Sequence, residues 1–264
     1  LLTQGMVIKD GTKMSKSKGN VVDPDEIIRA YGADTARVFI LFAAPPVKDL
    51  ESSDHGVEGA SRFLGRVWRI FGELGANIQA VPLPGESFTT STPEIKALRR
   101  MTHITIRRVT DDIEKRLQFN TAIAAIMELV NHLFNFKEWW SDENNQSEPA
   151  QRAVRETLET LILTLSPFAP HLAEELGSQI GFSETLDKMT WPQYIEALTQ
   201  TDEMLIVLQV NGKVRQKISV ASGISNDDLK AQCLEESKIK EWTEGKEVKK
   251  VIVIPKKLVN IVVQ

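Results

Sequence analysis

Apolar positions follow three different spacings along this chain, and each predicts a different kind of structure. Over residues 1–32 they are short and local. Met6-Val7-Ile8 reads as a brief strand and Asp10-Gly11 as a tight-turn pair. Asp23-Pro24-Asp25-Glu26 then predicts a helix start, with Asp23 as N-cap, Pro24 at the first helical position and Glu26 placed for a capping box. Gly32 predicts its end.

From Ala33 to Gln200 the spacing becomes helical. Asp34 is placed to cap a short apolar helix running through Phe42, which stops at Pro45-Pro46. Val57, Ala60, Phe63, Leu64, Val67, Trp68, Phe71 and Leu74 recur at three- and four-residue steps, as an amphipathic helix requires. After a Pro-, Ser- and Thr-rich loop over 81–93, three stripes predict three more helices: Ile95 to Leu117, Ala122 to Phe136, and Val154 to Leu165. Pro170 opens a last helix reaching Ile180. Long helices joined by short breaks predict an antiparallel bundle.

From residue 201 to 264 the period shortens again. Leu205 to Leu208 reads as a strand, Asn211-Gly212 as a two-residue hairpin turn, and Val214 to Val220 alternates as the partner strand. Ser225 is placed to cap a helix to about Glu236, and Val251–Ile254 and Leu258–Val263 form a second strand pair around Pro255-Lys256-Lys257. The chain as a whole is therefore expected to be mainly α, with a small α+β domain of ββαββ order at its end.

Composition narrows the classes. The 264 residues suffice for about two domains. No apolar run approaches the ~20 residues needed to cross a bilayer, so no membrane partner is expected. The single cysteine, Cys233, excludes an internal disulfide framework, and no Cys/His cluster offers a metal site. Both fit a cytoplasmic protein. The chain opens on Leu1 within an apolar stretch, as expected of a fragment or a processed subunit. Its net charge of −4 is unevenly spread: from Met204 onward 11 Lys/Arg face 7 Asp/Glu, leaving +4 there and −8 in the remainder. A basic end suits contact with phosphate, although ordinary surface variation explains the imbalance equally well.

One stretch carries chemistry. Lys13, Met14, Ser15, Lys16 and Ser17 are followed by Lys18-Gly19-Asn20, so Lys9, Lys13, Lys16 and Lys18 crowd one glycine-flanked loop with two hydroxyls. Cations so close repel one another unless an anion neutralises them, and a polyphosphate is the natural guest. A solvated basic loop is the plainer alternative for any lysine-rich segment. Lys9-Asp10-Gly11-Thr12 is a near match to a covalent nucleotidyltransferase site, but it lacks the spacing residue, and a turn already accounts for Asp-Gly.

Elsewhere, Arg62, Arg66 and Arg69 share a helix face, and Lys96, Arg99, Arg100, His103 and Arg107 nearly form another, expected opposite the apolar stripe. Lys213, Arg215 and Lys217 alternate along a strand and are expected to share one face. Either set can serve as solvated surface or as phosphate contacts. His171 is expected to be a structural partner, Trp139-Trp140 a packing pair, and Asp111-Asp112 solvated carboxylates.

With the strand before it and the capped helix after it, Lys13-Met14-Ser15-Lys16-Ser17 resembles the second signature of class I aminoacyl-tRNA synthetases. Leu208-Gln209-Val210-Asn211-Gly212-Lys213-Val214-Arg215 resembles the C-terminal signature of the bacterial leucyl-tRNA synthetase family. Tyr31 to Arg37, Phe119 to Ala122 and Pro167 to His171 stand in that family's places and order, and Ser52 departs from it where a tryptophan is common. The resemblance spans the chain. It implies an ATP-binding loop of residues 13–17 at the end of a catalytic domain (1–32), a helical-bundle anticodon-binding domain (33–200), and a small tRNA-binding domain (201–264).

The same resemblance implies ATP-dependent leucylation of tRNA(Leu), with Mg2+ accompanying ATP. Lys16 would stabilise the triphosphate as pyrophosphate departs, and Arg99, Arg100, His103, Arg107, Lys213, Arg215 and Lys217 would contact tRNA. The first class I signature, His-x-Gly-His, is absent from the 264 residues. An N-terminal catalytic half, in the same or a separate chain, is therefore an expected partner. The alternatives are a tRNA-binding module with no catalytic part, and the equivalent segment of an isoleucine or valine enzyme, which lacks the Asn-Gly-Lys-Val-Arg hairpin.

Overall fold

The computed structural model describes residues 5–264 except 10, 52–53, 76–77, 86–87, 89–91, 201–202 and 256. Ser52 lies outside the described residues. The chain divides into two compact units, Leu1–Thr199 and Gln200–Gln264.

The first unit opens with a three-stranded sheet of β1 (Val7–Lys9), β2 (Thr12–Lys13) and β3 (Leu50–Glu51), in the order β2-β1-β3. Strand β1 runs antiparallel to β2 and parallel to β3. Helix α1 (Pro24–Tyr31) starts where expected, with the Asp23 carboxylate accepting the Asp25 N–H at 3.0 Å. Helices α2 (Ala33–Ala43), α3 (Asp54–Leu74), α4 (Pro93–Asp111), α5 (Phe119–Trp140), α6 (Glu148–Leu165), α7 (Pro170–Gln179) and α8 (Glu196–Thr199) follow. Val67, Ile70 and Leu74 of α3, Leu98 and Val109 of α4, Ile126 and Leu129 of α5, and Leu158 and Leu161 of α6 share one core. Burying each such side chain contributes about 1.5–3 kcal/mol against leaving it in water, before conformational entropy is charged against it. Between α4 and α6 the Thr102 and Thr157 hydroxyls meet at 2.8 Å.

Asp34 does not cap its own helix. Gly32, at φ 87°, takes the N-cap position of α2. The buried Asp34 carboxylate instead accepts the Leu172 N–H at 2.8 Å and pairs with His171 Nδ1 at 2.9 Å, tying the start of α7 to α2. His171 is thus a structural partner. The Trp139 and Trp140 rings lie 5.2 and 6.2 Å from that of Phe136, as packing residues do. Helix α4 leaves its regular path through a π-helical turn, Asp112–Arg116, which ends on Leu117 at φ 51°. Asp112 is buried there against Arg116 at 2.9 Å, contrary to the expected solvation of both carboxylates.

The second unit contains β4 (Glu203–Val210), β5 (Lys213–Ala221), α9 (Asn226–Glu235), α10 (Ser237–Thr243), β6 (Val248–Ile254) and β7 (Leu258–Val263). Two helices stand where one was expected, because Glu236 takes a non-helical conformation between them. The sheet order is β5-β4-β7-β6, with β4 and β7 parallel. Ile206, Leu208, Ile218, Leu229, Cys233, Ile239, Val259 and Ile261 form its core.

The hairpin turn has both central residues at positive φ, Asn211 at 48° and Gly212 at 77°. That is the pairing a two-residue turn of this hand demands. Asn211 also extends the sheet. Its amide donates to Val263 O at 3.1 Å and accepts the Val263 N–H at 3.0 Å, bridging the hairpin to β7.

Candidate functional site

The lysine-rich loop is built on the first sheet. Gly11 turns β1 into β2 at φ 70°, and Met14 N–H bonds back to Val7 O at 3.2 Å. Residues Lys16–Lys18 then make one 3-10 turn. Ser15 is extended and caps it, its Oγ accepting the Ser17 N–H at 3.2 Å and meeting Ser17 Oγ at 2.6 Å. Gly19, at φ 67°, closes the turn by donating its N–H to Lys16 O at 3.3 Å. A Cβ at that φ would be strained, so the glycine has a local reason.

The consequence is electrostatic. Lys13, Lys16 and Lys18 are all exposed, and none takes part in an ion pair among the described residues. Three ammonium groups within residues 13–18 leave a local positive potential that a polyphosphate would relieve. Among the described residues no cluster of three or more His, Cys, Asp or Glu could hold a metal. No described helix is long and apolar enough to cross a membrane.

The basic residues of α4 are not one exposed face. Arg99 and His103 are 4% and 3% exposed, and they converge on Glu156 of α6. Arg99 Nε lies 2.7 Å from Glu156 Oε2, Arg99 Nη2 3.1 Å from Oε1, and His103 Nε2 3.2 Å from Oε1. His103 Nδ1 accepts the Ile195 N–H at 3.1 Å, and the Phe88 ring lies against the Arg99 guanidinium at 4.8 Å. Both residues were expected to contact tRNA; the structure places them not on an exposed face but against the largely buried Glu156 carboxylate. Burial pushes the Glu156 carboxyl up, but the His103 and Arg99 hydrogen bonds outweigh it and hold the group below its ordinary value.

Arg100 is half-buried beside His132, whose pKa falls through burial and then the Arg100 charge. Arg107 is tied to α8 through Glu196 and Thr199, each at 3.1 Å. On α3, Arg62 is exposed with Glu58 at 3.5 Å, Arg69 is exposed, and Arg66 stacks on Phe134 at 4.7 Å. Arg62 and Arg66 border a groove of about 800 Å³ with Phe39, Phe42 and Asn131.

In the second unit the expected common face of Lys213, Arg215 and Lys217 does not form. Leu208 pairs with Gln216 but Gln209 with Val214, so Arg215 is the extra residue of a β-bulge. A bulge shifts the side-chain alternation by one. Lys217 therefore sits opposite Val207, while Lys213 sits opposite the buried Val210. Arg215 lies over the Trp242 ring of α10 at 3.3 Å.

Sequence reasoning missed Glu156, the partner that spends two of the predicted cations. The burial of those two cations had a signal in the spacing: Ile95, Arg99, Thr102, His103 and Ile106 fall on one helical stripe.

Two family models match the chain, and the longer match runs across the boundary between the two compact units. Residues 96–231, just over half of the chain, match the family model described as the anticodon-binding domain of tRNA ligase. The chain belongs to that family. Residues 1–53, which hold the lysine-rich loop and the first sheet, match the model of class I tRNA synthetases for I, L, M and V. The chain is 51% identical over 267 residues to a leucine–tRNA ligase of Geobacter sp. (strain M21) and 49% identical over 263 residues to one of Syntrophobacter fumaroxidans. It spans about a third of the length of these relatives, 31% in each.

Among solved structures it is similar to the ternary complex of Agrobacterium radiobacter K84 agnB2 LeuRS with tRNA and LeuAMS. The TM-score is 0.82 at 28% identity, over 99% of this chain and 33% of that one. Class I tRNA synthetases use ATP as a substrate, and the anticodon-binding family is a tRNA-ligase domain.

Proposed function

We propose that the chain is the C-terminal part of a leucine–tRNA ligase, and that residues 13–17 form its ATP-binding loop in the leucylation of tRNA(Leu). In that reading a leucine carboxylate oxygen attacks the α-phosphorus of ATP and pyrophosphate leaves; a hydroxyl at the tRNA 3′ end then takes the leucyl group from the adenylate and AMP departs. Mg2+ would accompany ATP and offset its charge. Residues 1–32 close the catalytic domain, 33–200 form the bundle that holds the tRNA body, and 201–264 reach the tRNA elsewhere. The reaction is completed by an N-terminal catalytic half, and the protein works in the cytoplasm.

Lys16 is the catalytic residue of this proposal. Lys13, Met14, Ser15 and Ser17 hold the triphosphate beside it. The observation that carries the reading is the Ser15-capped turn, which presents Lys16 and Lys18 beside Lys13 of β2, all exposed and none in an ion pair among the described residues. Fixed charge placed where negative charge develops is worth roughly 3–4 kcal/mol, about 100- to 1000-fold in rate. For the tRNA, the proposal keeps the cations that burial leaves available: Arg62, Arg66, Arg69, Arg100, Arg107, Lys213, Arg215 and Lys217.

The test is leucine-dependent pyrophosphate exchange by the assembled enzyme. Lys16→Ala is expected to lower kcat by about 100-fold or more while the KM for leucine stays put. Unchanged exchange would reject the role of Lys16. If the chain then still bound tRNA, it would serve as a tRNA-binding module without part in catalysis.

A further inference from the structure

Asn20 lies just outside the lysine–serine motif, yet its side chain makes three hydrogen bonds, against two for the Ser15 side chain within it. Its Oδ1 accepts the Ser15 N–H at 2.9 Å. Its Nδ2 donates to Thr12 Oγ1 at 3.1 Å and to Lys13 O at 3.3 Å. An asparagine amide offers one acceptor and two donors, and here all are engaged. The partners all lie upstream of the turn, whereas Asn20 leaves it.

The other bonds of the turn are short-range, joining residues two or three apart: Ser15 with Ser17 and Lys18, and Lys16 with Gly19. They shape the turn but do not fasten it to the fold. The Met14 N–H ties the entry of the turn to Val7 O of β1, and Asn20 ties its exit to the same sheet, because Thr12 and Lys13 are β2, β2 pairs with β1, and β1 pairs with Leu50, which is 2% exposed. Thr12 is itself held, its Oγ1 donating to Lys9 O at 3.3 Å.

We propose that Asn20 is the positioning residue of the phosphate loop, buckling residues 12–20 into one rigid body with a fixed spacing of Lys13, Lys16 and Lys18. The proposal rests on the ATP-loop reading given above. Three ammonium groups on a slack loop would spread apart, and gathering them would cost binding energy at the moment of reaction. A loop buckled beforehand avoids that cost. Any motion of the loop then has to carry residues 12–20 together and cannot separate the lysines from one another.

Two measurements test this. On the intact chain, hydrogen exchange of the Ser15 amide reads the buckle directly. Asn20→Ala is expected to accelerate it at least about fivefold, the worth of one net hydrogen bond, and Thr12→Val to accelerate it less. The amides of the helical core should be unchanged, which shows that the fold survives. A Ser15 amide that exchanges freely in the parent chain, or equally fast in parent and Asn20→Ala, overturns the proposal.

In the assembled enzyme, Asn20→Ala should lower the kcat of leucine-dependent pyrophosphate exchange by about tenfold with the leucine KM unchanged. A loosened Ser15 amide with unaltered exchange kinetics also overturns it, provided that Lys16→Ala remains crippling in the same assay. If Lys16→Ala is harmless too, the ATP-loop reading fails, and the proposal with it.

Discussion

Glu156 offers the most decisive structural test, because it separates a packing role for Arg99 and His103 from an RNA-binding one. Replacing Glu156 with Ala leaves a guanidinium that is 4% exposed and an imidazole that is 3% exposed without their shared acceptor. Removing one partner of a buried charge pair costs about 3–5 kcal/mol, since the remaining charge stays desolvated. For a unit of roughly 200 residues, each kcal/mol moves the midpoint by about 2–4 °C, so the melting temperature should fall by roughly 6–20 °C. The assay is thermal unfolding followed by the signal of the helical unit, with hydrogen exchange of α4 and α6 amides to show that the loss starts there.

The sign with pH follows from the same geometry. The Glu156 carboxyl is held below its ordinary value of 4.5 in the folded chain, so its contribution is fully present above about pH 4.5 and is lost as the pH falls through the lower, folded value. Glu156→Gln should flatten that part of the acid limb. A loss under about 1 kcal/mol, together with a shallower salt dependence of RNA binding in Arg99→Ala, would refute the reasoning and return Arg99 to the surface.

The remaining predictions concern the second unit. Lys217→Ala should leave stability within about 0.5 kcal/mol and reduce the salt slope of tRNA binding by about one, whereas Arg215→Ala should also cost roughly 1–2 kcal/mol by uncovering Trp242; urea unfolding and binding titrations at several salt concentrations check both. Asn211→Ala removes the two bonds to Val263 and puts a Cβ-bearing residue of poor left-handed tolerance at φ 48°, so unit stability should fall by about 1–3 kcal/mol, read from urea unfolding.

Much of this architecture was legible from local chemistry. Asp23 before Pro24 and Ser225 before α9 each carry a capping bond, and Asn211-Gly212 the positive φ values, that the residue types alone anticipate. What escaped reading depends on contacts across the fold. Asp34 satisfies another helix's N-terminus, 137 residues away from His171. The bulge at Arg215 is marked in the sequence only by Gln216, a polar residue in an apolar place of the alternation, yet it separates Arg215 from Lys217. Arg99 and His103 carry the charge of a solvated face but the spacing of the buried one. Their places on the buried stripe needed the carboxylate on α6, which no local pattern announces. The loop of residues 13–17 was legible as a cluster of cations, but Asn20, which fastens it, was legible only as part of a turn.

The central claim is that the cations of residues 13–18 act on a nucleotide in chemistry completed by a catalytic half. Its most direct measurement is leucine-dependent pyrophosphate exchange with this chain, the N-terminal catalytic part, and both together. We expect exchange only from the combination, abolished by Lys16→Ala. Exchange by the N-terminal part alone, at a rate that adding this chain does not raise, would contradict it.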